Sequence, residues 1–285
     1  MAGVRPVRPG IRLDRAEVLL GLFACWDEID DLLSGLSAEQ WRAETVLPGW
    51  RVRDVVGHLI GTESMLLGIK TPEPDIDVAA LSHVHNHVGA VNERWVRHFR
   101  HRSGRELLER FRVATDDRHK QLTETTNAEW VSVTPTPAGP DTYGRFMRIR
   151  TFDCWMHEQD IREAVAVRAA DDVLAGRPGA LTLDEITANM GYIVGKLGGA
   201  PDGSRIAVEL TGPLQRTICV AVDGRARVVP DFDGLAPTAA VRLDAVLFTR
   251  LIGGRTTFAD HRAAVGLAGD VGVAERIVEH LKFVV

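Results

Sequence analysis

Residues 151–165 read TFDCWMHEQDIREAV, and this stretch decides what the first half of the chain is expected to form. Asp153 and His157 are four residues apart, so on a helix their side chains lie one above the other on one face. A second segment, GWRVRDVVGHLIG at 49–61, carries His58 in another helical pattern. One helix can therefore offer two metal ligands and a second helix can complete the set.

The sequence around these segments predicts a helical first domain over residues 13–170. Apolar residues recur at intervals of three and four, the mark of amphipathic helices, in runs at about 13–36, 52–67, 88–101, 104–122 and 142–167. A loop rich in threonine and proline occupies residues 131–142. Long amphipathic helices of this number predict a four-helix bundle, an architecture that builds metal sites from side chains on facing helices.

The second half of the chain has a different pattern and predicts a smaller α+β domain over residues 181–285. Short alternating segments, RIAVEL, RTICVAV, RARVVP and AAVRL, are typical of strands in a mainly antiparallel sheet. Helices are expected at about 181–197, 244–252 and 270–282. Residues 171–180, with a Gly-Arg-Pro-Gly turn, are predicted to be the linker, and residues 1–12 a flexible tail. The predicted fold class is α+β overall.

Composition excludes several classes of function. The net charge is -5 and the basic residues are scattered, which argues against a nucleic-acid partner. No run approaches the roughly 18 apolar residues that span a bilayer, so no membrane association is expected. Three cysteines, an odd number, fit a reducing cytosol and a cytoplasmic protein. Small molecules are the expected partners, and the sequence does not indicate an oligomeric state.

Spacing alone leaves alternatives to a metal site. A single histidine is more often hydrogen-bonded or exposed than metal-bound, and Asp153 could instead pair with Arg148 or Arg150. A separate triplet of histidines at 83, 85 and 87 is more typical of a solvated loop before a helix than of a second metal site. The tryptophans at 41, 50, 95 and 155 are interpreted as packing residues.

Three longer segments resemble the mycothiol-dependent maleylpyruvate isomerase family in order and approximate spacing. They are LPGWRVRDVVGHLIGTE, HVHNHVGAVNERWV and RTFDCWMHEQDIREAV. The N-terminal domain of that family resembles the DinB four-helix metalloproteins. The segments AVRLDAVLFTRLIGGRTTF and VGLAGDVGVAERIVEHL are similar to its α+β second domain.

The resemblance implies a divalent metal held by His58, Asp153 and His157, with glutamate as the family's usual residue at position 153. Two imidazoles and a carboxylate suit Zn(II) and would also accept Fe(II), Ni(II) or Co(II). Asp160 matches the family's catalytic aspartate; its alternatives are a pair with Arg162 or a hydrogen bond that orients an imidazole.

From the second domain the resemblance implies an essential arginine. Arg255 is the candidate, and Arg250 and Arg262 are its competitors.

The expected function is that of a mycothiol-dependent transferase or isomerase. Three protein ligands leave an open metal position, where the thiol cosubstrate would be held as a thiolate that attacks a small electrophile. The alternatives are a metal-dependent hydrolase using bound hydroxide, a non-catalytic metal-binding or regulatory module, and an Fe(II) redox enzyme. No nucleophile elbow, phosphate loop, dinucleotide fingerprint or zincin motif is present, so the metal is the only evident source of reactivity.

Overall fold

The computed structural model describes residues 10–74 and 76–282. The chain divides into two compact units, Met1–Val167 and Arg168–Val285. The first is helical and the second combines helices with a sheet, which confirms the predicted α+β class.

The helices of the first unit are α1 (Arg15–Ser34), α2 (Val52–Leu66), α3 (His87–Phe99), α4 (Gly104–Glu124), α5 (Asn127–Trp130) and α6 (Tyr143–Ala164). The four long helices α1, α2, α4 and α6 form a bundle, and α3 packs on α2. Single turns of 3-10 helix lie at Gln40–Arg42 and Val78–Ala80. Helix α1 packs on α4 and α6, and α2 packs on the same two helices, so the two helices with predicted ligands face each other across the bundle.

Helix α2 begins where the sequence predicts it to begin. Asp54, in its first turn, accepts a hydrogen bond at 2.9 Å from the backbone N–H of Arg51, the residue just before the helix. A negative charge in the first turn also suits the helix dipole. Helix α6 has the reciprocal cap: the hydroxyl of Thr142, the residue just before the helix, accepts a hydrogen bond from the backbone N–H of Arg145 in the first turn.

Two glycines let α3 approach α2 closely. A Cβ atom added at Gly61 would lie 2.4 Å from Cβ of Trp95, and one at Gly57 would lie 3.2 Å from Cβ of Phe99. Side chains at these positions would push the helices apart, so the short distance between α2 and α3 depends on glycine.

The predicted loop at 131–142 contains a short antiparallel hairpin of β1 (Val133–Thr134) and β2 (Asp141–Thr142). Strands of two residues are too short to show an alternating pattern, which is why the sequence did not indicate them. The hairpin also fixes Ile11, whose backbone N–H donates to Asp141 at 2.9 Å and whose carbonyl accepts from Thr142 at 2.6 Å. Most of the predicted flexible tail, residues 1–9, lies outside the described residues.

The second unit contains a five-stranded sheet with helices packed on it. Its elements are α7 (Asp171–Leu174), α8 (Arg177–Tyr192), β3 (Arg205–Thr211), β4 (Arg216–Asp223), β5 (Arg225–Val229), β6 (Ala239–Asp244), α9 (Ala245–Ile252), α10 (Phe258–His261), β7 (Gly266–Gly269) and α11 (Val271–Glu279). A π-helical turn, Ile193–Leu197, follows α8, and a 3-10 turn, Arg262–Ala264, follows α10. The strand order is β5-β4-β3-β6-β7, and only the β3–β6 pair is parallel.

Two features of this unit differ from the sequence prediction. Residues 171–180 are largely helical, because Pro178 lies in the first turn of α8, where its missing N–H is not needed. Strand β7 was not predicted, since the sequence GLAG has no β-branched residue and its two glycines disfavour a strand. In the described part of the chain, no helix combines the length and the apolar character needed to cross a bilayer.

Candidate metal centre

The three residues predicted as ligands converge between α2 and α6. Nε2 of His58 lies 3.1 Å from Oδ2 of Asp153, and Nε2 of His157 lies 3.6 Å from Oδ1 of the same carboxylate. One ligand atom from each residue lies within 4.8 Å of the others. Within residues 10–74 and 76–282 this is the single cluster of three or more such side chains that could hold an ion.

The spacing fits a small divalent cation. Metal–ligand bonds of about 2.0–2.1 Å at tetrahedral angles place neighbouring ligand atoms about 3.4 Å apart. The two histidine–aspartate distances, 3.1 Å to Oδ2 and 3.6 Å to Oδ1, involve different oxygens of the carboxylate, and one ligand atom from each of the three residues lies within 4.8 Å of the others, close enough for the side chains to share one ion. The imidazoles are only 4% and 9% exposed but the Asp153 side chain is 30% exposed, so the centre is open on the carboxylate side.

Asp160 contacts one of the two imidazoles. Its Oδ2 lies 3.1 Å from Nδ1 of His157, and the residue is 1% exposed. A hydrogen bond at Nδ1 fixes the ring with its Nε2 available as a ligand. Arg162, the alternative partner of Asp160, instead donates to Glu158 at 2.6 Å. Nδ1 of His58 is buried and has no hydrogen-bond partner among the described residues.

The charges of the site suit metal binding. Burial lowers the pKa of His58, so its ring is neutral at neutral pH and can offer a lone pair. Burial alone would raise the pKa of Asp153, but Arg150, His58 and His157 together hold it well below its ordinary value. The carboxylate is therefore charged. Arg150 donates from Nη1 to Oδ2 of Asp153 at 2.5 Å. The ion pair of Asp153 with Arg150, considered above as an alternative to a metal site, therefore forms within the cluster itself.

Both units match models of one family. Residues 22–162 match the mycothiol maleylpyruvate isomerase N-terminal domain, and residues 180–276 match the C-terminal domain of the same isomerases, abbreviated MDMPI. The chain belongs to the mycothiol-dependent maleylpyruvate isomerase family. The resemblance inferred from the sequence is confirmed.

Relatives of this family member include proteins without an assigned function. An uncharacterised protein of Mycobacterium tuberculosis strain H37Rv is 25% identical over 193 residues, which cover 66% of this chain and 70% of the relative. Its counterpart in strain CDC 1551 / Oshkosh gives the same values.

Solved structures of the family share the fold. The crystal structure of a mycothiol-dependent maleylpyruvate isomerase matches with a TM-score of 0.58 at 16% identity, over 90% of this chain and 93% of the other. A histidine-to-alanine mutant of such an isomerase matches with a TM-score of 0.57 at 14% identity, over the same shares of the two chains.

One residue of this isomerase-family site was interpreted from the sequence as packing only. The Trp50 ring centroid lies 5.4 Å from that of His58 and 6.2 Å from that of His157, so the indole forms a wall of the centre. Its Nε1 donates to Glu93 at 2.9 Å, and Nε2 of His83 lies 3.2 Å from the same carboxylate oxygen. Trp50 lies within the segment 49–61 that carries His58, which was the available signal.

The histidine triplet at 83, 85 and 87 does not belong to the cluster of potential ligands found within residues 10–74 and 76–282. His83 contacts Glu93 and α3 begins at His87, as predicted for a loop that leads into a helix. Gly49 makes room for His83: its φ is +77°, and an added Cβ would lie 2.9 Å from Cε1 of the His83 ring. Backbone and ring thus fit together only with glycine at this position.

A cleft of about 620 Å³ borders Trp50 in the first unit. Its lining carries Arg51, Arg53 and Arg100 beside Glu44 and Asp54, so arginines outnumber carboxylates by one. Trp50 is therefore shared between the cleft and the metal centre.

Arg255, the arginine implied by the family resemblance, lies in the second unit after α9. Its Nη1 donates to the carbonyl of Gly253 at 2.7 Å. Of its competitors, Arg250 lies in the last turn of α9 and Arg262 pairs with Glu275. The role of Arg255 stays a prediction.

Proposed function

We propose that this family member is a metal-dependent, mycothiol-using transferase or isomerase that acts on a small electrophile. The observation that carries the proposal is the convergence of two buried imidazoles and one carboxylate around a centre that is open on one side. Family membership supports the choice of thiol, because the family models and the solved structures bear the name of mycothiol-dependent enzymes.

His58, Asp153 and His157 would hold the ion, for which Zn(II) is the best match to the donor set. When bound, such an ion lowers the pKa of a thiol at its open position and keeps it as a thiolate at neutral pH. The residues present favour an anion there. Two neutral imidazoles and one carboxylate leave a divalent ion with a net charge of about +1, which one thiolate neutralises.

The chain itself offers no suitable thiol among its cysteines. Burial, opposed by the charge of Arg150, raises the pKa of Cys154 to about 12. Burial also raises the pKa of Cys25 and Cys219. Because the thiolate is the nucleophilic form, these shifts disfavour reaction at any of the three side chains at neutral pH. In the proposed reaction the sulfur nucleophile comes from a cosubstrate.

The other residues have supporting roles in the proposal. Asp160 acts through His157, whose ring it orients. Trp50 walls the side of the centre that borders the cleft, where a second substrate would have both an aromatic surface and positive charge. Arg255 would stabilise negative charge that develops on the electrophile.

The test combines metal analysis with a thiol-conjugation assay. Wild-type protein, His58→Ala and His157→Ala are analysed for bound metal and then assayed with mycothiol and monochlorobimane as a generic electrophile. We expect about one ion per wild-type chain, loss of metal in both variants and no conjugation without metal. His119→Ala is the matched control, because the His119 ring contacts Phe23 and His119 is not one of the three clustered residues.

Undiminished conjugation by either ligand variant would contradict the proposal. Turnover that needs no added thiol would favour a hydrolase instead. Failure to bind Zn(II), with an unchanged melting temperature on its addition, would favour a non-catalytic module.

A further inference from the structure

A row of four charged side chains runs through the helical unit and ends at the candidate ligand Asp153. Arg118 on α4 donates from Nε to Oε2 of Glu63 on α2 at 2.9 Å. Arg150 on α6 donates to Oε1 of Glu63 from Nε at 3.0 Å and from Nη2 at 2.8 Å. Its Nη1 donates to Oδ2 of Asp153 at 2.5 Å. Positive and negative charges alternate along the row.

The row is buried except at its end. The side chains of Arg118, Glu63 and Arg150 are 0%, 1% and 4% exposed, whereas that of Asp153 is 30% exposed. Two positive and two negative charges balance, so the row is neutral as a whole. Buried ion pairs of this kind are often no more stabilising than well-packed apolar residues. Stability alone therefore does not account for four charges in this bundle.

The geometry of Arg150 indicates what the row does. The guanidinium is planar and rigid, so the two bonds to Glu63 fix the direction of the third, from Nη1. That bond is made to Oδ2 of Asp153, which Nε2 of His58 also approaches at 3.1 Å. Oδ1 is left directed toward Nε2 of His157, 3.6 Å away. The outer carboxylate, Glu63, is in turn held by Arg118, which also donates to the Tyr143 hydroxyl at 3.2 Å and to Gln121.

We propose that Glu63 and Arg150 are positioning residues for the metal ligand Asp153: Arg150 holds Oδ2, so that Oδ1 is presented to the ion. The positive charge of Arg150 also withdraws electron density from the carboxylate, which favours an anionic ligand at the open position. The proposal rests on the proposed function to the extent that the triad binds a metal. Its competitor is a purely structural role, in which the row only joins α2, α4 and α6.

The test compares metal affinity with fold stability. Arg150→Lys keeps the charge but loses the planar fork, and Glu63→Gln keeps the shape but loses the charge. Arg145→Lys is the matched control, because Arg145 lies two turns before Asp153 on α6 and pairs with Asp141 at 2.8 Å. Dissociation constants for Zn(II) and Co(II) are measured by competition with a chromophoric chelator. The visible spectrum of the Co(II) form reports ligand geometry, and thermal unfolding of the metal-free form reports stability.

We expect both Arg150→Lys and Glu63→Gln to weaken metal binding by about 10- to 100-fold and to change the Co(II) spectrum. Arg145→Lys should change the affinity by less than about twofold. If Arg150→Lys does not fold, the isosteric Glu63→Gln variant carries the test.

Folded variants with wild-type affinity and spectrum would overturn the proposal, even if their melting temperatures are lower, because that result is the one a structural role predicts. A wild-type protein that binds neither ion would overturn the proposed function as well. The two failures are therefore distinguishable.

Discussion

His58 is the most buried of the three candidate ligands, and its burial controls its charge. The ring is 4% exposed, and desolvation lowers its pKa below the ordinary value of 6.5. The negative charge of Asp153 opposes this shift without cancelling it. The unprotonated ring is the form that binds metal.

We expect the affinity for Zn(II) to fall as the pH is lowered, because protons and the ion compete for the same imidazole nitrogen. Since burial lowers the pKa of His58, its share of this loss should set in at a lower pH than for an ordinary imidazole. Asp153, whose pKa is far below its ordinary value of 3.8, should contribute none of it in that range. Calorimetric titrations from about pH 8 to about pH 5 would measure the change. An affinity that rises on acidification would contradict the assignment.

At the scale of single residues, the sequence predicted which three side chains converge better than it predicted their surroundings. The four-residue spacing of Asp153 and His157 is local and can be recognised without a structure. Glu63 and Arg150 are 87 positions apart, and their contact depends on how α2 faces α6. Trp50 was missed because an aromatic residue near a helix start is typical of packing. Its position beside the two imidazoles also depends on how the helices are arranged.

At the scale of helices, α2 has a double function. One face carries His58 toward α6, and Gly57 and Gly61 allow α3 to pack closely on another side. Helix α3 carries Glu93, which accepts the hydrogen bond from Trp50. The contact between α2 and α3 therefore sets the position of the aromatic wall.

Gly61→Ala should destabilise the protein by about 1–3 kcal/mol, because the new methyl group would lie 2.4 Å from Cβ of Trp95 and α3 would have to move. This exceeds the gain of about 1 kcal/mol that alanine brings in a helix interior. Urea unfolding followed by circular dichroism would measure it. Gly89→Ala on α3 is the control, because an added Cβ there has no neighbour closer than 3.7 Å. Equal stability of Gly61→Ala and wild type would show that α3 is not held as described.

Helices and strands were predicted well where a pattern is long enough to repeat. The four alternating segments of the second unit became β3 to β6 nearly residue for residue. The sequence did not predict the two-residue strands β1 and β2 or the strand GLAG. GLAG has low intrinsic strand propensity, and pairing with β6 stabilises it as a strand. The start of α8 was misplaced because proline suits both a turn and the first turn of a helix.

At the scale of the whole molecule, the candidate ligands all belong to the first unit. A metal ion at the proposed site would join α2 to α6, and a ligand that binds only the folded state stabilises it by mass action. The second unit supplies none of these three ligands.

Removal of metal should lower the melting temperature of the holoprotein. At a free Zn(II) concentration of about 100 times the dissociation constant, the stabilisation is about 2.7 kcal/mol. For a unit of this size that corresponds to roughly 5–10 °C. Calorimetry with and without a chelator would measure the shift, and His157→Ala should show none. An equal shift in that variant would place the ion elsewhere.

The packing of the His83 ring against Gly49 restricts which residues position 49 can accept. Any side chain at position 49 would meet both a left-handed backbone and an imidazole at 2.9 Å. Moving that ring would disturb Glu93 and, through it, Trp50. In a saturation library selected for activity, codon 49 should tolerate almost no replacement, although its residue carries no reactive group.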